Sequence, residues 1–118
     1  MKKFIFLGIL AYNFCFATFY IKCTDINNPK NIFNVEFLAS CHSTKNISIL
    51  DKAIYDDPTD PDAFSYVPFA KDGRYEIKSE GLFLVNFEDA QISIQINLSS
   101  KSILISRDLG NIDLQCSR

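Results

Sequence analysis

Along "QISIQINLSS" the apolar residues Ile92, Ile94, Ile96 and Leu98 alternate with Gln91, Ser93, Gln95 and Asn97. This period-two pattern is that of a strand with one face buried and the other wet. It recurs along the chain. "VEFLAS" sets Val35, Phe37 and Ala39 on one face, and "NISILDKAIY" alternates Ile47 and Ile49 before turning less regular toward Ile54 and Tyr55. "AFSYVPFA" puts Phe64 and Tyr66 in phase, with Pro68 marking an edge or the end of the strand because proline cannot donate to a ladder. "GLFLVNF" is continuously apolar behind Gly81, which fits a turn or bulge followed by a strand buried on both faces or a short helical turn. "SILISRDLGNIDLQC" predicts two final strands, 102–107 and 111–116, joined at Leu109-Gly110.

No stretch after the first 17 residues keeps apolar positions at helical spacing for three turns. The pattern predicts an all-β domain, an antiparallel β-sandwich of about seven to eight strands. Within "KDGRYEIK" the Asp72-Gly73 pair is the strongest local turn signal and predicts a hairpin there, since glycine takes positive φ without steric cost. Residues 18–34 are set apart as an N-terminal extension. Phe19-Tyr20-Ile21 could add an edge strand, and Asn27-Asn28-Pro29 reads as a turn or linker.

The first 17 residues change the picture. "MKK" precedes an apolar run from Phe4 to Ala11, which continues with interruptions to Ala17. A basic start, a short apolar middle and a small residue to end it predict a signal peptide over 1–17, cut after Ala17. The run is shorter than the roughly 20 apolar residues of a membrane span. The expected organisation is therefore a signal peptide (1–17), an extension (18–34) and a β-sandwich domain (35–116) in a secreted, extracellular protein. Removing Lys2 and Lys3 from 12 basic residues leaves 10 against 14 acids, a charge of -4. No cluster of Lys and Arg offers nucleic acid a cationic face.

Cys15 falls inside the signal peptide, which leaves Cys23, Cys41 and Cys116. In an oxidising compartment two of these pair and one is left over. Spacing does not say which. One histidine and no C-x-x-C spacing argue against zinc. Asn46-Ile47-Ser48 and Asn97-Leu98-Ser99 are glycosylation sequons, so Asn46 and Asn97 are candidate acceptors.

"YDDPTDPDAF" concentrates four aspartates around two prolines. Calcium would want a glycine turn and a bidentate acid that the stretch lacks, whereas Pro58 and Pro61 fix φ and Asp side chains cap turn amides. A solvated connection between strands is the expectation. His42, next to Cys41, suggests a Cys-His pair, but adjacent strand residues point to opposite faces. Neither a catalytic nor a cofactor-binding nor a metal-binding set is assigned. Of the 11 Phe and 5 Tyr, Phe64, Tyr66, Phe83 and Phe87 are expected in the core, with a groove lining as the other reading. Lys45, Lys71, Arg74 and Lys78 read as solubilising charges that blunt sheet edges.

Four stretches in series resemble the nematode transthyretin-like family of small secreted proteins. "VEFLASC" is similar to its first strand ending in cysteine, and "YDDPTDPDAF" to its acidic connection. "FAKDGRYEIKSEG" resembles its Asp-Gly hairpin through Asp72, Gly73, Tyr75 and Gly81, and "RDLGNIDLQ" its closing strand. The resemblance covers about residues 35–115. The chain departs from the family pattern where Phe37 replaces a glycine, where "HSTKN" replaces a Gly-x-Pro turn, and where "NLSS" replaces the segment carrying the partner of Cys41. It therefore implies a re-routed bridge, with Cys23–Cys116 preferred, tying the extension to the last strand. It also implies a non-enzymatic protein that binds a small apolar ligand, a lipid or a cell-surface protein. Two other readings are a hydrolase using His42 with Asp72 or Lys45, and a homodimer joined edge to edge or through the spare cysteine.

Overall fold

The computed structural model describes residues 18–38 and 46–118. The signal-peptide expectation over 1–17 and the roles considered for Cys41, His42 and Lys45 fall outside them. Eight strands follow in order: β1 (Phe19–Asp25), β2 (Asn28–Leu38), β3 (Ile47–Tyr55), β4 (Phe64–Ser79), β5 (Leu82–Phe87), β6 (Ile92–Asn97), β7 (Ser102–Ser106) and β8 (Gly110–Ser117). Each pairs antiparallel with its sequence neighbours, and β1 also pairs with β8. The sheet closes on itself.

The closure corrects the expected sandwich. A sandwich has free edges between its two sheets, but Lys22–Asp25 of β1 lies against Leu114–Ser117 of β8 and leaves none at that seam. Segment 18–34, expected to stand apart as an extension, furnishes β1 and most of β2. Cys23 and Cys116 are directly opposite in the β1–β8 register, their Cα atoms 4.0 Å apart, and a disulfide joins them. Both lie in the core. The bridge spans 93 residues of sequence and fastens the first strand to the last.

The interior is filled by side chains, as an eight-stranded barrel permits. Phe37 sits at the centre of one end, stacked on Phe19 at 4.7 Å and edge-on to Tyr75 at 4.9 Å. Ile92, Ile94 and Ile96 point inward as the alternation predicts, with Phe83, Val85 and Phe87 beside them. The continuously apolar "LFLVNF" is thus a strand, with alternate residues buried.

In β3 the phase is opposite to the expectation. Ser48 and Leu50 are buried, while Ile47 and Ile49 lie outside and half-covered. Register decides this: Ser48 faces Phe37 and Leu50 faces Val35, so the small serine leaves room for the phenyl ring. The Ser48 hydroxyl donates to the Glu36 carbonyl at 2.8 Å and is thereby satisfied.

The hairpin expected at Asp72-Gly73 is also corrected. β4 runs straight through both residues, and they form a bulge: Ser48 pairs with Gly73, and the ladder resumes with Leu50 opposite Ala70. Asp72 takes the extra residue's left-handed conformation, φ 59°. Gly73 is required by packing, because a Cβ there would lie 2.6 Å from Cδ1 of Phe87. The tight turn comes later, at Glu80-Gly81, where Gly81 has φ 77°.

Candidate interaction surface at the barrel mouth

Successive hairpins alternate between the two ends of the barrel. One end gathers the turns at 26–27, 56–63, 88–91 and 107–109. The β3–β4 hairpin overshoots here, because β4 pairs with β5 only from Arg74 to Ser79 while its pairing with β3 extends back to Phe64. Residues 64–68 with 51–55 therefore form a ribbon beside the mouth, two-stranded over 53–55 and 64–66 and rooted at Asp51 and Lys52, which β2 still pairs.

The two faces of the ribbon differ. Tyr55, Phe64 and Tyr66 share the outer face, with ring centroids 5.4 Å apart for Tyr55–Phe64 and 5.5 Å for Phe64–Tyr66. Burial, then Tyr55 and Asp51 nearby, push the Tyr66 hydroxyl pKa up. Lys52 and Val67 are opposed on the other face, where Lys52 Nζ lies 5.9 Å from the Phe33 ring centre and 5.7 Å from that of Phe69. Phe69 leans edge-on against buried Phe33 at 6.3 Å and caps the core. Of the aromatic residues expected in the core, Phe83 and Phe87 are there. Tyr66, 39% exposed, and half-buried Phe64 are outside it.

A groove of about 570 Å³ separates Phe69 from the loops that follow β5 and β7. Ala90, Ile92 and Leu109 supply its apolar wall, and Asp89, Arg107 and Asp108 its charges. Its loops are fixed by their own bonds: Arg107 Nη1 donates to Gln91 Oε1 at 3.1 Å, and Ser106 Oγ accepts the amides of Asp108 and Leu109 at 3.2 and 3.1 Å. Ile54 and Val67, 46% and 37% exposed, extend the apolar rim. No known family, curated protein or solved structure matches the chain. The character of the surface therefore rests on its own residues.

The acidic stretch is the ribbon's tip. Asp57 Oδ1 accepts the Thr59 amide at 2.9 Å and its hydroxyl at 2.8 Å, and Asp60 Oδ1 accepts the Asp62 amide at 2.9 Å. The bonds from Thr59 hold the Asp57 carboxyl below the usual carboxylate range. Lys30 Nζ donates to the Pro58 carbonyl at 2.6 Å and pins the tip to β2. These aspartates shape a turn; among the described residues no group of three or more His, Cys, Asp or Glu is placed to hold a metal.

The other candidate residues are scattered. Asn46 is exposed and its carbonyl accepts the Tyr75 amide at 3.1 Å. Asn97 is half-buried at the end of β6, where its Oδ1 accepts the Ser99 amide at 3.0 Å. Asp72, one partner considered for His42, lies on β4 in a shallow depression with Arg74, Asn86, Glu88 and Asp89. Sequence reasoning missed Ile54, Val67, Phe69 and Leu109 as surface residues. The available signal was Pro68 amid apolar neighbours, since a proline there marks an edge and an edge strand exposes what a central strand would bury.

Proposed function

We propose that the chain is an exported, non-enzymatic binding domain that engages a cell-surface protein through the barrel mouth and the β3–β4 ribbon. The observation that carries this reading is the placement of apolar surface. The interior is filled by Phe33, Phe37, Phe87, Leu50 and Ile94, which favours contact at the rim over a ligand held inside. Ile54, Val67, Phe69 and Leu109 meanwhile stand in water at one end, ringed by charged loops, an apolar centre with a polar rim of the kind protein interfaces use.

Two features support export: the basic-apolar-small pattern of residues 1–17 and the Cys23–Cys116 bridge, which suits an oxidising compartment. The reading leans on these and not on the transthyretin-like resemblance, whose sandwich the barrel replaces. A membrane-spanning role for the barrel is disfavoured by its polarity. Its interior is apolar and its outer faces carry Lys22, Glu36, Asp51, Arg74, Glu76, Gln95 and Asp113, the reverse of a barrel that faces lipid. No helix among the described residues is long and apolar enough to cross a membrane.

The test is binding of oxidised protein to intact cells, to protease-shaved cells and to lipid vesicles. Binding to intact cells that is lost on shaving, and weakened by Leu109→Asp, is expected. Binding to none of the three, or to vesicles alone, contradicts the reading.

A further inference from the structure

The ribbon has an open edge. Over 64–73 β4 has β3 on one side, and among the described residues no strand pairs with the other. The direction of each backbone group there follows from the ladder. The Asp56 amide donates to the Ala63 carbonyl at 3.0 Å, so the next pair, Tyr55–Phe64, is a non-hydrogen-bonded one. The register then runs unbroken to Asp51–Pro68. Alternation therefore turns the backbone groups of Phe64, Tyr66 and Pro68 outward, while Ser65 and Val67 bond to β3. Pro68 fits this phase, since its missing N–H would have faced the open side.

We infer that this edge pairs antiparallel with the same edge of a second copy, on a two-fold axis at Tyr66. The sequence is self-complementary in that register. Tyr66 exchanges both of its main-chain N–H···O bonds with Tyr66 of the second copy, and each Phe64 N–H meets the carbonyl of the opposite Pro68. Proline returns no bond, so each Phe64 carbonyl is left to water. On the outer face Tyr66 meets Tyr66, and Phe64 meets the Pro68 ring; on the inner face Ser65 meets Val67. The pairing covers Tyr66 and Val67, two of the exposed large apolar residues, and satisfies an edge that would otherwise invite unspecific pairing.

Charge disfavours the parallel alternative. The tip carries Asp56, Asp57, Asp60 and Asp62 at one end of the seam, and Lys71 and Arg74 lie at the other among Asp72, Glu88 and Asp89. The two-fold axis brings each acidic tip toward this mixed-charge end of the other copy, whereas a parallel pairing would bring tip to tip. The inference does not rest on the export reading; it takes Val67 out of the surface assigned to a cell-surface protein, and its test reads only the chain with itself.

The test is sedimentation velocity of the oxidised protein with three variants. The native chain is expected to dimerise reversibly. Tyr66→Lys, which places like charges across the axis, weakens it about tenfold or more with near-ultraviolet dichroism unchanged. Pro68→Ala restores the outward N–H and tightens it. Lys71→Glu with Arg74→Glu weakens it less than Tyr66→Lys does. A native chain that stays monomeric up to about 1 mM overturns the inference, as does a dimer indifferent to Tyr66→Lys.

Discussion

From Leu82 to Ser117 the strands are 6, 6, 5 and 8 residues long and pair without a single shift of register, whereas β3 and β4 run for 9 and 16 residues and pair through two shifts. Both regions are made of alternating apolar and polar residues. They differ in what the alternation has to meet. In β5–β8 each inward side chain finds the barrel core, so Val85, Ile94 and Leu104 are buried and their neighbours wet. In the ribbon the strand pair outlasts the core. Its apolar residues pack on one another outside, or remain open. A regular region stores stability, and an overlong one leaves surface for contact.

The largest test of this contrast is the seam that closes the regular region onto β1. Replacing Cys23 and Cys116 together by Ala removes a cross-link over about 93 residues. Stability should fall by about 4–5 kcal/mol in the chain-entropy account, read by urea unfolding against the oxidised parent. Phe87→Ala empties a fully enclosed position and should cost about 3–5 kcal/mol in the same assay. Gly73→Ala lies where the two regions meet. It drives a methyl into the Phe87 ring, for a loss of about 1–3 kcal/mol that a Phe87→Leu partner should partly recover. In the ribbon Ile54→Ala should change stability by less than about 0.5 kcal/mol. A loss as large as that of Phe87→Ala would mean that the ribbon belongs to the core.

The smallest effect concerns the tip. Its Thr59 bonds favour the Asp57 carboxylate, so the folded-state pKa lies below the unfolded one. Their contribution is full above the unfolded value and is lost as pH falls through the folded one. The Thr59 amide resonance should therefore move with a midpoint below the usual carboxylate range, while core amides such as that of Ile94 stay put. A Thr59 midpoint at the ordinary aspartate value would mean that the turn is not formed.

The regular region was legible because its signals are local. Ile92, Ile94 and Ile96 alternate with polar residues, and Gly110, with φ 76°, ends the β7–β8 turn where the sequence places it. Prolines and aspartates likewise marked 56–63 as a connection. Asp72-Gly73 misled because the same two residues suit a hairpin or a bulge. The choice was made by Phe87, 14 positions on, whose ring occupies the space a side chain at 73 would take. The phase of β3 was hidden for a similar reason: Ile47 and Ile49 look like core until the register with Phe37 and Val35 is known. Closure could not be read at all from periodicity. A strand's two partners are set by the twist and stagger of the whole sheet, and Cys23 and Cys116 come together only when every intervening hairpin is in place. The candidate surface was the least legible region, since Ile54, Val67 and Phe69 have the composition of core and are exposed only because β4 outruns β5.

Whether β1 and β8 are neighbours in solution is decided most directly by cross-strand nuclear Overhauser effects in the oxidised protein. A closed barrel predicts contacts between the Hα atoms of Cys23 and Cys116, together with slow exchange of the amides that β1 donates to β8. Contacts between β1 and β2 alone, with the outer amides of β1 and β8 exchanging at the rate of free edges, would contradict closure and restore two separate sheets.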